Sequence, residues 1–278
     1  MKLVLKNKAK VNIFANIFRN LKNILDDANV TFTPTSLYMQ GMDKAHALLV
    51  ELNIEKEWFD FYEADEDLDN ENFGLHCETF FQIINCLNED KYIELIWEKG
   101  GDKMSILFQG ENSISKKFEL SRVDMDLEKI EIPDHEYQAD ICIKSDEFSE
   151  IIKELSIFND TVQIKCTEEN IELLASGLLG SMTANIKEDD IMSYAIEEDT
   201  KLILNYSLSF LDQACHFNKL SPDLYIHCTL EYPMKIQYPL DEQSSNNDDP
   251  EKGEVTSYEV ASESKSFCRF FIAPKIIE

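Results

Sequence analysis

Glycine and proline are scarce, at 8 and 7 of 278 residues. Collagen-like and low-complexity chains need far more of both, so those classes are excluded. Long apolar runs are missing too. A membrane-spanning helix needs about 18 consecutive apolar residues, whereas the longest candidates, Ala47–Val50 and Phe270–Ala273, are strand-sized. The start, MKLVLKNKAK, has only a short apolar stretch after its first lysine, too short for a secretory leader. These absences predict an intracellular protein. Cysteine pairing signals are absent as well. Cys77, Cys86, Cys142, Cys166, Cys215, Cys228 and Cys268 are odd in number and lack CxxC spacing, so they read as small buried residues in a reducing compartment. No GxxxxGK phosphate loop occurs, so any ATP hydrolysis must come from another protein.

What is present fits a globular chain: 44% hydrophobic residues, with a length that suits one large or two modest domains. The net charge of −28 argues against nucleic acid at first, because binders carry basic patches. Its distribution weakens that argument. Residues 1–25 contain no acid but hold Lys2, Lys6, Lys8, Lys10, Arg19 and Lys22, which leaves −34 on the rest. This segment is either locally solvated or faces a polyanion that the remaining surface repels. The acidic run Glu63–Asp69 lacks the Gly and Glu spacing of a calcium loop and reads as solvated. Residues 241–254 (DEQSSNNDDPEKGE) have the composition of a disordered surface loop.

The chain repeats itself. Residues 12–25 place Ile13, Phe14, Ile17, Phe18, Leu21, Ile24 and Leu25 at helical spacing, and NVTFTPTSLYMQ then reads as strand, turn, strand. The pattern returns at 145–156, with Ser145 as N-cap and Phe148, Ile151, Ile152 and Leu155 as the stripe, again followed by a hairpin. A second helix at 76–88, with Phe80, Ile83, Ile84 and Leu87 on one face, precedes the strands KYIELIWE and KMSILFQ. Its counterpart at 205–217, with Leu208, Leu211 and Cys215 inward, precedes DLYIHCTLE and MKIQYPL. First helices start 133 residues apart and second helices 129. This predicts an α+β fold of two similar domains, each with two helices packed on antiparallel sheets. Between them, 123–137 alternates acids with apolar residues, as a partner surface or a segment docked back on the domains would.

SLYMQGMDKAHALLVEL (36–52), DMDLEKIEIPDHEY (124–137), LLASGLLG (173–180) and FIAPKI (271–276) resemble the proliferating cell nuclear antigen family of DNA sliding clamps, in order and along nearly the whole chain. The resemblance implies the clamp (processivity) fold, with an N-terminal domain at 1–119, a connecting loop at 120–137 and a C-terminal domain at 138–278. It implies no enzyme activity, no cofactor and no metal. Three copies would form a ring that encircles duplex DNA, tethers DNA polymerase and other proteins carrying clamp-binding peptides, and is placed by an ATP-dependent clamp loader. The setting would be a nucleus, or the replication site of a large DNA virus. An encircling protein is held by topology and needs little intrinsic DNA affinity, which reconciles −28 with such a role.

The family's sites carry over as follows. The partner-peptide pocket would use Met42, His46, Ala47, Ile130, Ile132, Pro233, Phe271, Ala273 and Pro274, with Gln40 as a polar contact. Arg19, Lys22, Lys153, His216 and Lys219 would face DNA. Gln82, Asn85 and Glu150 stand where members often carry basic residues, so the lining is less positive than usual. The subunit interface would pair Ser113–Leu120 with Leu178–Ile186, with Phe118, Leu155, Leu178 and Leu179 as apolar contacts. Glu168 replaces a modifiable lysine, and 241–264 lengthens a short hairpin. A subunit of a heterotrimeric, checkpoint-type ring is the near alternative. An acidic intracellular hydrolase is the distant one, because Cys215–His216 and His227–Cys228 point their members to opposite faces and make poor catalytic dyads.

Overall fold

A computed structural model describes residues 1–64, 72–88, 91–110, 114–125, 130–133, 135–230, 232–241 and 264–276. The 242–263 loop, most of the 63–69 acidic run, residues 126–129 of the linker and Ser113 of the expected interface strand lie outside them. Contacts divide the chain into two units. The first is Met1–Lys44 with Glu51–Glu131, and the second is Ala45–Val50 with Ile132–Glu278.

In the first unit the order is β1 (Lys2–Leu5), α1 (Lys8–Leu21), β2 (Asp27–Phe32), β3 (Ser36–Met42), β4 (Leu48–Glu55, which begins in residues of the second unit), β5 (Phe61–Glu63), β6 (Asn72–His76), α2 (Cys77–Ile84), β7 (Tyr92–Trp97), β8 (Lys103–Gln109) and β9 (Lys116–Ser121). The domain end expected at 119 therefore falls inside β9. One antiparallel sheet has the order β5-β1-β7-β8-β9, and β2 pairs with β3 on one side and β6 on the other. Alternation fixes which side faces in: Ala28, Val30 and Phe32 of β2 are buried while their neighbours are half-exposed. Val11, Phe14, Ile17, Phe18 and Leu21 form the buried stripe of α1, and Phe80 of α2 meets Phe14 and Phe18 at ring distances of 6.4 and 4.5 Å. Edge-on pairs of this kind add about 0.5–1.5 kcal/mol beyond burial.

Helix α1 starts one turn earlier than the apolar spacing suggests. Asn7 is its cap, and its side-chain oxygen accepts the Ala9 and Lys10 N–H groups at 2.9 and 3.3 Å. The helix also stops at Leu21, and Ile24 and Leu25 are buried from the turn that follows it.

The second unit repeats the order strand for strand: β10 (Ala139–Lys144), α3 (Ser145–Leu155), β11 (Thr161–Cys166), β12 (Asn170–Gly177), β13 (Gly180–Lys187), β14 (Ser193–Ile196), β15 (Leu202–Ser207), α4 (Leu208–Cys215), β16 (Asp223–Cys228), β17 (Met234–Pro239) and β18 (Phe267–Ile272). Its sheets run β13-β12-β11-β15 and β14-β10-β16-β17-β18. Helices α3 and α4 pack on each other. Leu208, Leu211 and Cys215 of α4 are buried as their spacing predicts, although Asn205–Ser207, expected in the helix, complete β15.

Ser145 is a correction. Lys144 occupies the cap position of α3, no side chain caps the helix, and the Ser145 hydroxyl is buried with no hydrogen-bond partner among the described residues. The chain enters α3 directly from β10, which turns Ser145 inward instead of toward the helix end. The cysteine reading also needs one amendment. All seven thiols are free and six are buried, but Cys86 is exposed just after α2 and donates to the Gln82 carbonyl.

Candidate DNA-facing, edge-strand and peptide-binding residues

The N-terminal cations differ from one another in their surroundings. Lys8 and Lys10 stand in the first turn of α1, where the helix dipole disfavours cations by about 0.3–1 kcal/mol each. The sequence thus carries positive charge where helix stability alone would select acids. Lys10 lies over the Trp58 ring at 5.6 Å, and Lys2 is paired to Glu94 at 2.6 Å. Arg19 is exposed and donates to Asn16 at 3.0 Å. Lys22 is not a free cation. Glu78 of α2 pairs with it at 3.0 Å, and its ammonium stands 4.3 Å from the centre of the Phe81 ring. The Lys22 ammonium and a Gln82 bond hold the Glu78 carboxyl below its ordinary pKa. The acid-free stretch is therefore partly neutralised by acids from elsewhere in the fold. Among the second unit's expected DNA-facing residues, Lys153 and Lys219 are exposed, whereas His216 has Asp212 one helical turn back at 3.6 Å.

Strands β9 and β13 each stand at an edge of their sheet. In β9, Lys117, Glu119 and Ser121 are exposed and Phe118 is half-buried against Phe108, ring to ring at 5.3 Å. Ile114, just before β9, is 83% exposed. In the second unit β13 is the edge beyond β12, and the turn into it carries Leu178 and Leu179, both fully exposed. Two glycines build this turn. A side chain at Gly177 would strike the Phe158 carbonyl oxygen at 2.1 Å, and Gly180 adopts a φ of 153°, which side-chain-bearing residues rarely take. Leu155 departs from its expected role. It is fully buried on α3, which packs on β13, so it supports that edge from within its own unit and presents no surface.

The peptide-pocket residues are described unit by unit. In the first unit, Gln40 of β3 clasps the linker: its amide donates to the Ile130 carbonyl at 3.0 Å and its oxygen accepts the Ile130 N–H at 2.8 Å. This leaves the Ile130 side chain exposed, and Met42 two residues on is half-buried. In the second unit the Ala273 N–H donates to the Ala47 carbonyl at 2.9 Å. Met234 sits opposite Ile272 in the β17–β18 register, which sets Pro233 across from Ala273. Ala47, Pro233 and Ala273 are thereby gathered, with Pro274 exposed beyond them and Phe271 largely buried in β18. His46 is exposed in the left-handed region at φ 56°, a costly conformation for a non-glycine residue. Ile132 is half-exposed.

Sequence reasoning missed a neighbouring cluster. His135 of the linker stacks on Tyr232 at 3.7 Å, Tyr137 lies 5.4 Å from His227, and His227 bonds Asp140 at 2.5 Å. These residues are far apart in sequence, and only strand pairing brings them together. Burial, with Lys235 and Arg269 nearby, holds the His227 pKa below the ordinary histidine value, against the pull of Asp140. His227 and Cys228 do face opposite ways: the first bonds Asp140, while the second shares a thiol hydrogen bond with Cys166 that holds the Cys166 pKa below its ordinary value. Glu168 accepts the Asp199 N–H at 2.8 Å.

A strand order repeated without change, with two helices packed on antiparallel sheets in each half, defines the clamp, or processivity, fold. Residues 5–131 match the proliferating cell nuclear antigen N-terminal domain model and residues 131–247 match the C-terminal domain model. The chain belongs to the proliferating cell nuclear antigen family. Its role is therefore that of a DNA clamp and processivity factor, a scaffold without catalysis.

Proposed function

We propose that three copies of this chain close into a ring that encircles duplex DNA, is opened and shut by a separate ATP-dependent loader, and tethers DNA polymerase and other proteins through their clamp-binding peptides. The observation that carries this reading is the succession of N- and C-terminal family matches along one chain. Two features support it. The lysines in the first turn of α1 suit a surface that faces phosphates, and the residues just before the edge strands β9 and β13 include the exposed Ile114, Leu178 and Leu179 that a second copy would cover. Arg19, Lys22, Lys153, His216 and Lys219 are the proposed DNA-facing set. The gathered Ala47, Pro233 and Ala273, with Pro274, are the proposed peptide-contact residues of the second unit. The proposed place of action is the nucleus or a site of viral DNA replication.

A heterotrimeric ring is the second reading. The Lys22–Glu78 pair favours it, because it lowers the positive charge that a self-sufficient lining would present. Sedimentation over a range of concentrations separates the two. A species of 96.6 kDa, three chains of 32.2 kDa, is the expected result. A monomer at every concentration overturns the homotrimer. Loaded protein that stays on closed circular DNA in high salt and leaves after linearisation is the outcome expected of encirclement.

A further inference from the structure

Within the second unit, the end of the linker and the loop from β16 to β17 hold each other at two points. His135 stacks on Tyr232, with ring centres 3.7 Å apart and planes at 29°. Three residues on, Gln138 makes the other hold. Its N–H donates to the Cys228 carbonyl at 3.0 Å, and its side-chain oxygen accepts the Thr229 hydroxyl at 3.1 Å and the Leu230 N–H at 3.3 Å. Tyr137 lies between these holds and is bounded on three sides. The His135 ring meets it edge-on at 5.7 Å, the Lys235 ammonium stands 4.8 Å from its centre, and the His227 ring is 5.4 Å away.

This seat adjoins the proposed peptide-contact residues. Tyr232 is the chain neighbour of Pro233. Lys235 stands opposite Phe271 in the β17–β18 register, two residues beyond Pro233. Tyr137 is only half-buried, so its ring still offers apolar surface. The Gln138 bonds fix the backbone where β10 begins, but they do not act on the Tyr137 ring. A stacked ring pair acts there, through dispersion and the complementary charge of ring face and edge. A side chain that is ordered before its ligand arrives spares the complex the entropy of ordering it. We infer that the His135–Tyr232 stack is a latch and that Tyr232 is a positioning residue. It ties the linker end to the β16–β17 loop, so that Tyr137 and Pro233 stand fixed for an apolar side chain of a partner peptide. This role rests on the peptide-binding reading proposed above. It does not require His135 or Tyr232 to touch the peptide.

A peptide selected from a random library on the whole wild-type protein, and lost on Pro233→Asp, is the probe. Its affinity is read by fluorescence anisotropy. His135 and Tyr232 are half-exposed and lie outside the strands, so their variants keep the fold. The expected result is a Kd raised about twofold to tenfold in Tyr232→Ser and by the same factor in His135→Ala. Tyr232→Phe, which keeps the ring, restores the wild-type value. The double variant His135→Ala with Tyr232→Ser binds no more weakly than either single one, because both remove one interaction. Wild-type affinity in Tyr232→Ser overturns the latch. So do losses that add in the double variant, since they would mean that each ring meets the peptide by itself. Failure of the peptide-binding reading has a different signature: no selected peptide senses Pro233→Asp, and the latch then has no pocket to serve.

Discussion

Replacing Leu178 and Leu179 together with serine addresses the assembly directly. In the single chain both side chains are fully exposed on the β12–β13 turn, so they contribute nothing to packing within their own unit. At concentrations where both proteins are monomeric, the double variant should unfold at the wild-type denaturant midpoint. If a second copy covers them, each leucine contributes at least about 1.5 kcal/mol on burial. That is about 3 kcal/mol per contact, and about 9 kcal/mol over the three contacts of a closed ring. At 1.4 kcal/mol per decade, the trimer constant falls by more than six decades. The concentration at which half the trimer dissociates scales as the square root of that constant, so it rises roughly a thousandfold. Sedimentation equilibrium of both proteins over a wide concentration range measures the shift. A variant that trimerises like the wild type would show that this turn stays exposed in the assembly, and the placement of the contact would be wrong.

Two further predictions concern the second unit. Ser145→Ala removes a buried hydroxyl with no partner among the described residues, so it should leave stability unchanged or raise it by up to about 1 kcal/mol. A functioning N-cap would instead cost 0.5–2 kcal/mol when lost (typically about 1), so the urea midpoint separates the two roles. His227 carries a pH dependence. Its folded pKa lies below the ordinary histidine value, so as pH falls through the usual histidine range the unfolded chain takes up the proton first. The neutral ring's contribution is present above that range and is lost on acidification toward the folded pKa. His227→Gln should flatten Tm against pH between about 7 and 5, and a wild-type profile that the substitution leaves unaltered would refute the assignment.

Much of the repeat was legible because helix and strand periodicities are local. The stripe Phe14, Ile17, Phe18 and Leu21 and the alternation of β2 follow from one face needing burial. Boundaries were less legible. The early start of α1 turns on one carboxamide, Asn7, that sits ahead of the apolar spacing. The inward turn of Ser145 depends on the strand that leads into its helix, and serine is otherwise a common cap.

The sequence by itself determined the two-fold repeat, the acid-free first helix and the family resemblance, because each is written in residue type and order. Only the tertiary structure decided which charges stay free. Glu78 neutralises Lys22 from another helix. It also decided that Leu155 is core while Leu178 and Leu179 are surface, although all three are leucines in or near the expected interface. Burial and pairing are properties of chain segments brought together from a distance. A formal charge or a hydropathy read one residue at a time carries neither.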